Sequence, residues 1–125
     1  LGVGSRVPVL PTGIGRALLT IAPDDERNEV VAQAPLEPFT SKTIVDRDRL
    51  ADKLNEAEEK GFALTDGEFE AGIAALALPF QRRGPFPVAL GISSERERFT
   101  EAYIQTAVRT LRSCRDHLAD VIAQL

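Results

Sequence analysis

The sequence contains no tryptophan and no methionine, one tyrosine, one histidine and one cysteine. A lone cysteine, Cys114, excludes an internal disulfide and fits a reducing cytoplasm. His117 stands three residues after it on the same predicted helix, and two ligands do not make a zinc site. The acidic run Asp24-Asp25-Glu26 follows Pro23 as a helix start does, so it is read as a first turn and not as a metal site. The serines have no neighbouring base, and Asp66, Glu68 and Glu70 share a turn without an acid–base partner. No catalytic constellation is therefore legible, and no metal or cofactor is expected. No apolar run approaches the ~20 residues of a bilayer-spanning helix, and no basic segment followed by an apolar stretch marks a secretory signal. Basic residues do not dominate: 15 Lys and Arg face 19 Asp and Glu, a net charge of −4. That balance argues against a nucleic-acid surface in this segment.

What is present suits one soluble domain: 125 residues, 43% hydrophobic and 27% charged. The most informative stretch runs from Gly61 to Ser93. Turn residues divide it into a short strand, an acidic turn around Asp66-Gly67, and two longer strands joined by the basic hairpin Arg82-Arg83-Gly84-Pro85. In the strand predicted from Phe86 to Ser93, Phe86, Val88, Leu90 and Ile92 fall on one face and Pro87, Ala89, Gly91 and Ser93 on the other. The preceding strand repeats this, with Ala74, Leu76 and Leu78 opposite Ile73, Ala75 and Ala77. Antiparallel pairing would give a sheet with one bulky and one small face. A small face either lets a helix pack close or leaves room for a ligand.

Elsewhere, the residues from Val3 to Leu10 read as an edge or terminal strand bounded by Pro8 and Pro11. Thr12 is suited to cap a helix through Ala17, Leu18, Leu19 and Ile21, and free N–H groups at such a start hold carboxylates and phosphates. TGIGRA is not a nucleotide loop, because Arg16-Ala17 stands where Lys-Ser/Thr would be required. A second helix opens at Pro23, and Leu36 and Phe39 are the expected anchors of the connector to Thr43. Asp46 caps a third helix that Gly61 stops. Ser94 to Arg98 reads as a charged linker. From Thr100 a final helix carries an apolar stripe of Ile104, Val108, Leu111, Leu118, Val121, Ile122 and Leu125.

Three segments together resemble the effector-binding domain of IclR-type bacterial transcriptional regulators. They are GSRVPVLPTGIGRALL, LEPFTSKTIVDRDRLADKLNEAEEKGFALTDGEFEAGIAALALP, and PVALGIS with the long terminal helix. The resemblance spans essentially residues 1–125. It implies an α+β, GAF-like domain, a mainly antiparallel sheet flanked by helices, incomplete at its N-terminal side. It also implies that DNA binding belongs to a winged helix-turn-helix domain absent from this chain. The partners so implied are a small organic acid and further copies of the chain in a homodimer or homotetramer; the room left by Ala75, Ala89 and Gly91 points to an aromatic or extended acid. No membrane is implied. Matching the family's motif residue by residue places the acid's carboxylate on the N–H groups of Gly13 and Ile14. Its remaining contacts fall on Thr65, with Asp66 beside it, and on Ala75, Gly91 and Ser93. Ala75 and Gly91 stand where related sensors carry polar groups, so this site would be the less polar one. On this reading Gly91→Val fills the site and leaves the sheet folded. The alternatives are a GAF-like sensor attached to another output domain, and an assembly domain whose pocket is vestigial.

Overall fold

Local chemistry sets the ends of each helix. The structure is a computed structural model that describes residues 2–80 and 86–124, except the side chains of 122 and 123. Helix α1 (Gly13–Thr20) starts where the Thr12 hydroxyl accepts the Gly15 N–H at 3.1 Å and donates to the Pro8 carbonyl at 2.7 Å. Helix α2 (Asp24–Gln33) has its three acids in the first turn, at the positive end of the helix dipole. Helix α3 (Arg47–Lys60) begins at Asp46, whose carboxylate accepts from the N–H groups of Asp48 and Arg49. It ends at Gly61 in the left-handed conformation, φ 80°. Asp46→Ala should lower stability by about 1 kcal/mol, read as a shifted urea midpoint with an unchanged slope.

The described residues form one antiparallel sheet in the order β1 (Ala63–Asp66), β2 (Ile73–Pro79), β3 (Ala89–Glu95). Its register puts Thr65, Ala75 and Ser93 in one row, and Ala63, Ala77 and Gly91 in the next. Period-two alternation makes these rows the small face. The opposite face carries Leu76, Leu78, Leu90 and Ile92 against Val108 and Leu111 of α4 (Glu101–Ala123). On the small face, Ala17 of α1 is sealed among Ala57, Ala63 and Ala77, so α1 sits between the sheet and α3. A second apolar cluster of Leu10, Leu19, Ile44, Leu50 and Leu54 joins α1 to α3, and Val30 and Val31 of α2 pack on it.

Several expectations need correction. Residues 3–10 form no strand. Pro8 and Pro11 cannot donate to a ladder, Gly4 turns the chain at φ 88°, and the segment is held by the side chains of Thr12, just before α1, and Arg16 within it. Strand β3 runs Ala89–Glu95 and not Phe86–Ser93, because β2 begins only at Ile73, paired with Glu95. Ser94 and Glu95 are therefore strand, and the linker shrinks to the 3-10 turn Arg96–Arg98. Of the two expected anchors of the connector, Leu36 packs on the cluster that joins α1 to α3, while Phe39 stays 39% exposed and meets the ring of Phe69 edge-on. The apolar stripe of α4 outruns its seat. A 23-residue helix is about 35 Å long, whereas a seven-residue strand spans about 23 Å. Val108 and Leu111 are buried, while Leu118 and Val121 are exposed. The Arg82-Arg83 hairpin and the side chains of Ile122 and Leu125 lie outside the described residues.

Candidate functional site

The small face is both a helix seat and a cavity wall. Toward α3 it is closed by Ala17. Toward the start of α1 it opens into a cavity of ≈ 380 Å³, within the range that takes small organic ligands. Two glycines set how closely α1 approaches. A Cβ on Gly13 would sit 3.5 Å from the Ala75 Cβ. A Cβ on Gly91 would meet the Ala77 Cβ and the Ile14 Cγ1, each at 3.2 Å. Gly91 is thus the seat of Ile14 as much as open space. A side chain at Gly91 would require Ala77 and Ile14 each to give by a few tenths of an ångström, so Gly91→Val would crowd the contact between α1 and the sheet as well as the cavity.

Six residues named from the sequence line this cavity: Gly13, Ile14, Thr65, Ala75, Gly91 and Ser93. The seventh, Asp66, faces the other way, as its place next to Thr65 on a strand requires. It pairs with Arg96 at 2.8 Å and Lys42 at 3.5 Å. Among the described residues, the N–H groups of Gly13 and Ile14 have no protein acceptor: Thr12 serves Gly15 through its hydroxyl and Arg16 through its carbonyl. No acidic side chain occupies the first turn of α1. These are the conditions under which a helix start accepts an anion. Thr65 is buried and Ser93 exposed in the row beneath Gly13, so two hydroxyls flank Ala75. The rest of the wall is largely apolar, from Val7, Pro11, Phe69 and Ile73.

Sequence reasoning missed the residues that hold the walls together. Arg16 is 2% exposed and Glu68 8%. The Arg16 Nη1 donates to Glu68 Oε2 at 2.9 Å, Nη2 bonds the other carboxylate oxygen, and Nε donates to the Leu10 carbonyl at 2.7 Å. One guanidinium thus ties α1 to both the segment before it and the β1–β2 loop, and each of these lines the cavity. Thr40 and Thr43 bond the carbonyls of Gly67 and Glu68, and Phe39 meets the Phe69 ring edge-on, centroids 5.1 Å apart. The signal was a charged residue beside Ala17 on the inward side of a helix, which needs a buried partner. Phe69, Glu70 and Ile73 were also missed as wall residues.

Residues 1–120 match the family model described as the C-terminal domain of the bacterial transcriptional regulator IclR. The chain belongs to the IclR family. It is the effector-sensing domain of a transcriptional regulator, and the family's members are regulators, not enzymes. The Pca regulon regulatory protein of Pseudomonas putida is 30% identical over 106 residues, 84% of this chain and 36% of that protein. The chain therefore spans about a third of the length of that relative. RHA06195 from Rhodococcus sp. RHA1 superposes with a TM-score of 0.91 at 28% identity, covering 99% of this chain and 51% of that one. The inducer-binding domain of a double mutant of PobR from Acinetobacter, in complex with 3-hydroxybenzoic acid, superposes with a TM-score of 0.82 at 25% identity. That match covers 94% of this chain and 68% of the other. Among the described residues no helix is long and apolar enough to cross a membrane.

Proposed function

We propose that this IclR domain binds an aromatic or extended monocarboxylic acid in the cavity under the start of α1. The observation that carries the reading is a convergence in one space. Two N–H groups of Gly13 and Ile14 lie above a sheet row with two hydroxyls, Thr65 and Ser93, beside apolar walls. The N–H pair and the helix dipole hold the carboxylate. Ser93 gives a directional hydrogen bond, and Ala75 leaves room for the body of the ligand. Asp66 has no direct part in this arrangement and acts by fixing the end of β1 through Arg96. The complex of the double mutant of the related PobR domain with 3-hydroxybenzoic acid supports the choice of ligand class.

In the whole protein, ligand binding would shift the balance between arrangements of a homodimer or homotetramer in the cytoplasm. A winged helix-turn-helix domain elsewhere in the protein would then contact DNA differently. Such a shift requires the ligand to bind the two arrangements with different affinity. Calorimetric titration of the whole protein with benzoate-type acids and with glyoxylate tests the reading. Aromatic acids should bind more tightly than glyoxylate. Ser93→Ala should weaken them by about 1–2 kcal/mol, the scale of one hydrogen bond. Preference for glyoxylate, or no effect at Ser93, would place the ligand elsewhere.

A further inference from the structure

The turn TDGEFE carries three carboxylates, and the structure treats them differently. Asp66 is paired with Arg96, and Glu68 is buried against Arg16. Glu70 lines the cavity, is exposed, and makes no ion pair among the described residues. Its place is fixed from both sides. Arg16, Thr40 and Thr43 hold the loop before it, and its own carbonyl accepts the Ile73 N–H at 3.2 Å as the chain enters β2. Ile73 lies two residues from Ala75 on the same face, and Ala75 lies directly beneath Gly13. Two strand residues are about 7 Å, on the order of the length of an aromatic ring. The cavity lining therefore combines the free N–H groups of α1 with a carboxylate that has no cation paired to it among the described residues.

Resting on the effector reading above, we propose that Glu70 is a specificity-determining residue of this site. It accepts a hydrogen bond from a neutral donor at the end of the ligand remote from its carboxylate, and it repels a second negative charge there. The ligand class narrows to monocarboxylates with a distal hydroxyl, and dicarboxylates of the same length are rejected. This selection would act through charge, since Glu70 is an exposed, charged member of an otherwise largely apolar lining.

The probes are benzoate, 4-hydroxybenzoate and terephthalate, titrated calorimetrically against the whole protein and its Glu70→Gln and Glu70→Ala variants. The quantities that decide are affinity ratios, so an overall loss of binding does not obscure them. In the wild type, 4-hydroxybenzoate should exceed benzoate, and terephthalate should be weakest. Glu70→Gln should raise the terephthalate-to-benzoate ratio about fivefold, the scale of one partly screened charge interaction. Glu70→Ala should in addition remove the preference for 4-hydroxybenzoate. Benzoate binding with both ratios unchanged in the variants would overturn the Glu70 assignment and leave the effector site standing. Failure of all three acids to bind the wild type would overturn the effector reading and the assignment with it.

Discussion

Alanine in place of Glu68 is expected to cost the domain about 3–5 kcal/mol, the range for breaking a buried ion pair by removing one partner. That is a large share of the stability of an ordinary domain. The size follows from what is left behind. Arg16 is 2% exposed and would keep its charge, with only the Leu10 carbonyl as an acceptor from the original set. Arg16→Ala should cost a similar amount, by stranding the Glu68 carboxylate and opening a void under α1. The double variant Arg16→Met, Glu68→Leu should recover most of the loss, because apolar replacement removes both desolvation costs. Urea denaturation of the three variants checks this. A loss below about 1 kcal/mol for Glu68→Ala, the range of an exposed pair, would show that water reaches the guanidinium and that the pair does not brace the cavity.

The outline of the fold was legible because its signals are local. Thr12 and Asp46 as caps, Gly61 as a stop and the alternation in β2 and β3 each need only a few neighbouring residues. The errors came where distant segments decide. Residues 3–10 are β-branched enough to suggest a strand, but a strand exists only if a partner edge accepts its N–H groups. Prolines 8 and 11 have none to offer. The end of β3 was misplaced by two residues because its register is dictated by where the β1–β2 turn releases β2, at Ile73. The candidate site shows the same division. Gly13, Ile14, Thr65, Ala75, Gly91 and Ser93 follow motif and periodicity, and they meet around one cavity. The Arg16–Glu68 brace joins residues 52 apart in sequence and leaves no local trace beyond a charge on an inward helix face. The reading of the small face as either seat or pocket was too coarse, since Gly91 serves Ile14 while Ala75, one row away, faces the open end.

Two glycines of TGIGRA, two residues apart, should respond very differently to alanine. Both lie in α1, where exchanging glycine for alanine would by itself favour the helix by up to about 1 kcal/mol. Gly13→Ala should keep most of that gain, because its Cβ would rest at 3.5 Å from the Ala75 Cβ, an ordinary contact. Gly15→Ala has no such room. Its Cβ would fall on the carbonyl oxygen of Val9, with the Val9 Cα at 2.5 Å and carbonyl carbon at 2.6 Å. Those are backbone atoms, held in place because Pro8 bonds Thr12 and Leu10 bonds Arg16 on either side. Neither a rotamer change nor a small shift relieves the overlap, so either α1 or the preceding segment must leave its position. A loss of about 3 kcal/mol or more is expected, at the upper end of overpacking costs. The consequence extends to the site, because Val7 and Pro11 of the displaced segment form part of the cavity wall. Gly15→Ala should therefore lose affinity for the aromatic acid as well as stability, even at temperatures where it remains folded. Denaturation of both variants, followed by titration of the folded proteins, gives the comparison. Equal stability of Gly13→Ala and Gly15→Ala would mean that residues 5–11 do not lie against α1, and the wall they provide to the cavity would have to be withdrawn.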